Sequence, residues 1–200
     1  MKVYLVIGAG KMGQSIARQL SLDTAATVRL LHDPQQVVSA ELTDRVTELT
    51  GDLTAEATYN EALKDNPVVI STLAGMDVDL TFEALFDAQY HQRLSLKRFV
   101  MLSTAGVDQE VIGDLDYAGI TDVKEYLNQQ RYAAKLVDEA EFPYTILRPV
   151  TLDDGPTTTA KILREGESVP AGTVSRETVA QVAVKLAQTG GYDYQSLAIC

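Results

Sequence analysis

The residues with the plainest capacity for chemistry are the three glycines of GAGKMG, Gly8, Gly10 and Gly13, directly after the apolar run Val3–Ile7. In a G-x-G-x-x-G arrangement each glycine has its own reason. The first permits a tight turn, the second lets the backbone approach a pyrophosphate, and the third lets a helix pack closely on a strand. A helix starting at Lys11 or Met12 would aim its unpaired N–H groups at the same phosphates. Asp33 lies about twenty residues further on, where a carboxylate accepts hydrogen bonds from an adenosine ribose. Asp33-Pro34-Gln35-Gln36 is equally a good helix start, with Asp33 as N-cap, and both roles are compatible. His32 and Arg29 stand nearby and would instead favour a 2′-phosphate. The expected ligand is therefore NAD or NADP, with the preference open.

Such a loop needs a strand before it and a helix behind it. Lys2–Ile7 reads as that strand and Lys11–Leu20 as that helix. Further strands are expected at Thr27–His32, Val46–Thr50, Val68–Leu73, Arg98–Ser103 and Tyr144–Leu147. Between them the pattern predicts a short helix from Pro34, then helices over Ala55–Lys64, Asp79–Tyr90 and about Val123–Ala140. Phe142-Pro143 marks the stop before the sixth strand. Strand–helix–strand order forces crossover connections. The fold class is thus α/β: a Rossmann-type, doubly wound, mainly parallel sheet with helices on both faces. VVISTL and RFVMLS are nearly continuous apolar runs, as burial on both faces requires. Residues 152–175 carry Gly155, Pro156, Gly166, Pro170 and Gly172, so a loop and a small hairpin beside the cleft are expected there. A last helix follows from Arg176 with Ser175 as its N-cap, and Tyr194–Ile199 makes a final strand. With no internal repeat and no linker, residues 1–200 read as a single domain.

Composition narrows the partners. A formal net charge of −11 argues against nucleic acid, which needs a basic face. It also opposes any dinucleotide, so local N–H groups or a few placed cations must hold the phosphates. No apolar run approaches the ~20 residues of a membrane span, and MKVYLVIGAGKMG reads as mature structure, not a signal peptide. The single cysteine, Cys200, allows no internal disulfide or paired-cysteine metal site, and fits a reducing cytoplasm. His32 and His91 suggest no metal pair, so no metal site is expected.

Six segments, taken in order, carry a resemblance: GAGKMG, TGDLT at 50–54, VVISTLAG at 68–75, KRFVMLSTAGVD at 97–108, AAKLVDEAEFPYTILRPVTLDDG at 133–155 and VSRETVAQVAV at 174–184. Together they resemble the atypical short-chain dehydrogenase/reductases of the small NAD(P)H-binding, NmrA-like type, which are similar to epimerases and dehydratases. The resemblance implies that Asp52 and Leu53 contact adenine, and that Leu73, Ala74 and Gly75 line the nicotinamide-ribose side. It implies that Ser103 faces the active site and Lys135 holds the nicotinamide ribose. Pro149, Val150 and Thr151 would cover the cofactor. Three of these have a plainer alternative: Asp52 as a turn residue, Ser103 as a polar strand end, Lys135 as a solvated helix lysine. Two departures stand out. GAGKMG replaces the GATGxxG form of many relatives, and His32 stands where NADP-binding relatives often carry Arg. A neutral imidazole cannot offer phosphate a bidentate fork.

Active members of the wider family use Tyr-x-x-x-Lys on the long helix, because i and i+4 share one face. No tyrosine here has a lysine four residues later. Arg131 stands four before Lys135 and reads as an exposed charge or an anion holder. Tyr132, three before it, is the near miss; it either reaches the cleft from another direction or packs its ring on a neighbour. The expected activity is hydride transfer with a small carbonyl or alcohol, using Lys135, Ser103 and Tyr132. The alternative is a non-catalytic module that senses nicotinamide redox state and reports it to a protein partner. A nucleotide-sugar epimerase has less room after Thr151. The oligomeric state stays open, a homodimer being common for this fold class.

Overall fold

The computed structural model describes residues 2–200. Its elements run β1 (Lys2–Ile7), α1 (Lys11–Leu20), β2 (Ala26–His32), α2 (Ala40–Thr43), β3 (Thr47–Thr50), α3 (Tyr59–Ala62), β4 (Val68–Ser71), α4 (Val78–His91), β5 (Arg98–Leu102), β6 (Val111–Ile112), α5 (Val123–Glu139), β7 (Tyr144–Pro149), β8 (Thr151–Asp153), β9 (Ile162–Arg164), β10 (Val169–Pro170), β11 (Thr173–Ser175), α6 (Arg176–Thr189) and β12 (Gln195–Ile199). The main sheet has the order β3-β2-β1-β4-β5-β7-β12-β9. Every pairing in it is parallel except β9 against β12. The fold is a Rossmann-type doubly wound α/β sheet.

The apolar runs explain the layers. In β1, Tyr4 and Val6 face the core under α1 and α6, while Leu5 and Ile7 face the core under α3, α4 and α5. A period of two with apolar residues at both phases is what a sheet covered on both faces demands. The chain winds outward from β1 through β2 to β3, then restarts at β4 and winds the other way. That reversal opens a crevice between β1 and β4 at the carboxyl ends of the strands.

Three stretches differ from the sequence expectation. Asp33-Pro34 starts a turn, not a helix: Asp33 Oδ1 accepts the Gln35 N–H at 2.8 Å, and the Asp33 carbonyl accepts the Gln36 N–H at 2.9 Å. Helix begins only at Ala40. The segment expected as helix 55–64 is a 3-10 turn over Glu56–Thr58 followed by the single turn of α3. The expected hairpin in 152–175 does not form: β11 pairs in parallel with β8, while β9 pairs with β12 and β10 with β6.

Candidate functional site

The glycine loop follows from local backbone needs. Gly8 adopts φ +99°, a conformation that costs glycine nothing, and its N–H donates to the Leu31 carbonyl at 2.8 Å. Gly13 lies in the first turn of α1, and a Cβ there would fall 1.8 Å from the Gly8 carbonyl oxygen. Its hydrogen therefore lets α1 approach the turn. Thr72, just past β4, donates its hydroxyl to the carbonyls of Ile7 (3.0 Å) and Gly8 (3.3 Å), fastening the loop from below. Gln14 and Gln36 lace it to the segment after β2. Gln14 Nε2 donates to the carbonyls of Ala9 and Val37, and Gln36 Oε1 accepts the Ala9 N–H at 3.0 Å.

Beyond the loop, a cleft of about 350 Å³ opens at the carboxyl end of the sheet. Ser103 and Thr104 from the end of β5, Tyr126 from α5, Tyr117 from the β6–α5 loop, and Gly75 and Val150 form much of its wall. Gln130 lies behind Ser103. It is 0% exposed, and its Oε1 accepts the Ser103 hydroxyl at 3.0 Å. Its Nε2 has no partner among the described residues. Tyr126 stands one turn before Gln130, so the i, i+4 pair on the cleft face is Tyr126 and Gln130. Burial pushes the Tyr126 phenol up and the Tyr117 phenol adds to that, while a hydrogen bond with Thr104 works against it. Tyr126 consequently keeps its phenolic proton. A second hollow, about 320 Å³, lies at the opposite end near Lys2 and Arg98, away from the glycine loop.

The loop that follows Ser103 is anchored by a buried cation. Arg148 of β7, 1% exposed, pairs with Glu110 and with Asp108 at 3.0 Å. Glu110 also accepts the N–H groups of Gly106 and Asp108. Breaking one partner of so buried a pair would leave an uncompensated charge.

Lys135 and Tyr132 are not brought to this cleft. Five residues along a helix turn Lys135 about 140° from Gln130. Its side chain is 64% exposed and lies 3.5 Å from Glu139. Tyr132 points to α4, where its hydroxyl donates to Glu83 Oε1 at 3.1 Å. Arg131 donates to the Val107 carbonyl. At the end of β2, His32 is 2% exposed, with Nδ1 2.8 Å from the Asp33 carbonyl and Nε2 2.9 Å from Glu48 Oε1. Both ring nitrogens face protein oxygens, so no ring N–H is directed to a ligand. Arg29 is likewise occupied by the carbonyls of Ala62 and Lys64 and by Asp65. Asp52 is exposed and accepts Thr54's N–H and hydroxyl, which hold its carboxyl below the usual range. Leu53 is buried. Leu73 is half-buried beside Thr72, whereas Ala74 and Gly75 with Pro149, Val150 and Thr151 line the cleft. Among the described residues no cluster suited to a metal ion occurs, and no helix is long and apolar enough to cross a membrane.

A family model described as NAD(P)H-binding matches residues 8–189. The chain belongs to this NAD(P)H-binding family. Solved structures carry the same fold at low identity. A short-chain dehydrogenase/reductase from Veillonella parvula, in complex with NADP, has a TM-score of 0.83 at 21% identity, covering 99% of this chain and 94% of that one. ChuY, an anaerobillin reductase from Escherichia coli, has a TM-score of 0.79 at 22%, covering 99% and 96%. A Rossmann-fold NAD(P)-binding family protein from Shigella flexneri has a TM-score of 0.79 at 21%, covering 100% and 93%. Among curated proteins no match was found.

The loop of this NAD(P)H-binding protein fits its cofactor on steric grounds. A Cβ on Gly10 would meet nothing within 4 Å, so the space over it is an open cradle. Gly10 caps α1 without a side chain, and no acidic residue occupies the first turn. The N–H groups there are available to phosphate. Sequence reasoning missed Tyr126, Gln130, Tyr117 and Thr104. A signal existed in the stripe Tyr126, Gln130, Ala133, Val137, which runs at helical spacing with a glutamine on its buried face.

Proposed function

We propose that this protein is a nicotinamide-dependent oxidoreductase that exchanges hydride with a small carbonyl or alcohol compound. The observation that carries the reading is that Thr72, which fastens the glycine loop to the end of β4, leads directly into Ala74 and Gly75 in the wall of the cleft that holds Ser103, Thr104 and Tyr126. Gly8, Gly10 and Gly13, with the N–H groups of Lys11 and Met12, hold the diphosphate. Asp33 takes the adenosine ribose, Asp52 and Leu53 border the adenine, and Leu73 to Gly75 with Pro149 to Thr151 border the nicotinamide. The bound nicotinamide supplies or accepts the hydride. Ser103, kept in place by Gln130, and the neutral phenol of Tyr126 hold the substrate oxygen and polarise it. The Tyr126 phenol gives the oxygen its proton when the carbonyl takes up hydride, and its phenolate takes the proton back in the reverse direction. Apolar Leu115, Ile120 and Leu152 limit water around it.

Since His32 and Arg29 are engaged by the protein, the adenosine end presents Asp33 and no free guanidinium; NADH is the favoured cofactor. Calorimetric titration with NADPH and then NADH tests this. Tighter binding of NADH supports Asp33 at the ribose; tighter binding of NADPH removes it from that role; binding of neither removes the reading. A second reading, a module that senses cofactor redox state, is favoured by Gln130 standing where a proton-relay lysine would be needed. It predicts cofactor binding without turnover and a protein partner whose affinity differs between NADH and NAD⁺.

A further inference from the structure

Two helices point their N-termini at the carboxyl end of the sheet side by side. α1 packs against α6, and Ser15 and Gln19 of α1 are tied to Glu177 of α6. The first residue of each helix is a cation, Lys11 and Arg176. Between them stands the carboxylate of Asp154, from the loop after β8. Its Oδ2 accepts from Lys11 Nζ at 2.8 Å, and its Oδ1 accepts from the Arg176 guanidinium. Lys11, followed by Arg176, holds the Asp154 carboxyl below the usual range. Neighbouring Asp153 does not share this position, for its Oδ1 accepts the Gly155 N–H at 2.9 Å. An internal carboxylate thus bridges the two cations that open neighbouring helices, one of which, Lys11, follows Gly10 directly in the chain. Arg176 also borders the cleft.

We infer that Arg176 is a ligand of the cofactor's diphosphate, and that Asp154 is an internal anion which the diphosphate displaces from Arg176 and Lys11. This rests on the glycine loop as the diphosphate site. The Lys11 and Asp154 side chains are 74% and 61% exposed, so a ligand reaches them from solvent and the pair is cheap to break. In a chain of net charge −11, the two cations are scarce local attraction for a dianion, and Asp154 neutralises part of it in the free protein. Displacing Asp154 also removes one tether of the loop between β8 and β9, which Thr158 continues to hold to Thr178.

The test is fluorescence titration of NADH into the full chain, its Asp154→Asn, Arg176→Gln and doubly substituted forms, at low and high salt. Asp154→Asn is expected to bind NADH about three- to tenfold tighter, and Arg176→Gln about as much weaker. In the Arg176→Gln background, Asp154→Asn should recover less than half of its effect, and the differences should shrink at high salt. Unchanged or weaker binding by Asp154→Asn overturns the inference, as does unchanged binding by Arg176→Gln. Binding by Asp154→Asn but not by the natural chain supports it. If none of the four binds NADH, the glycine-loop reading itself fails, an outcome distinct from equal binding by all four.

Discussion

Gly10→Ala and Gly13→Ala place the same methyl group in two positions of one loop and should fail in opposite ways. At Gly13 the new Cβ would lie 1.8 Å from the Gly8 carbonyl oxygen and 2.9 Å from Thr72 Oγ1, where ordinary contact begins near 3.4 Å. Turn or helix must therefore retreat by more than an ångström. Overpacking of this severity costs about 3 kcal/mol, offset by the gain of up to ~1 kcal/mol that Ala brings to a helix. A net loss of about 2 kcal/mol lowers the melting temperature of a chain this size by roughly 4–8 °C. At Gly10 the backbone is φ −67°, ψ 177°, open to any residue, and the Cβ meets nothing. Loss of a glycine N-cap costs about 0.5–1 kcal/mol, and the stiffer unfolded chain returns about 0.4–1. Gly10→Ala should hence melt within about 2 °C of the natural chain, yet bind NADH at least about tenfold more weakly, its methyl filling the cradle. Thermal melts followed at 222 nm and fluorescence titration with NADH read both. Full NADH affinity in Gly10→Ala would place the diphosphate elsewhere, and an unshifted melt in Gly13→Ala would refute the packing argument.

Other substitutions divide the long helix by face. Lys135→Ala removes only an exposed pair with Glu139; stability should change by less than about 0.5 kcal/mol, and NADH affinity and turnover should match the natural chain in parallel assays. Gln130→Leu removes the acceptor of the Ser103 hydroxyl and should lower kcat with little change in NADH affinity; equal losses in both would show a general collapse of the site. Burial, with the Asp52 charge adding to it, pushes the Tyr59 phenol far above the usual tyrosine range. The folded chain keeps this proton while the unfolded chain loses it near pH 10. Stability should be unaffected below that pH and fall above it by up to about 1.4 kcal/mol per pH unit for this group. Urea melts between pH 9 and 11 should show a shallower fall in Tyr59→Phe.

The strands were legible because burial on both faces leaves an unbroken apolar run, as in VVIS of β4 and RFVML of β5. The glycine loop was legible because its constraints are local: a positive φ at Gly8 and a close approach at Gly13. Asp33-Pro34 was misread because a helix start and an Asx turn use the same residues. The pairings of β9, β10 and β11 join residues far apart in the chain, which no local pattern encodes. Tyr126 and Gln130 escaped for a related reason. Their importance lies in the phase of α5 relative to Ser103, 27 residues away, and a search requiring lysine passes over a glutamine in its position. Lys135 attracted attention as the lysine of its segment, but its helical phase turns it to solvent.

The two ends of the main sheet bear on how the molecule meets its neighbours. One margin is β3, the four residues Thr47-Glu48-Leu49-Thr50, mostly exposed and carrying a charge. The other is β9, three residues long, reversed in direction and ending in Arg164. Short, charged margins offer a poor template for a foreign strand. The extended apolar ladder at the centre is thus shielded laterally by its own chain, and the molecule resists the edge-to-edge stacking through which flat sheets polymerise.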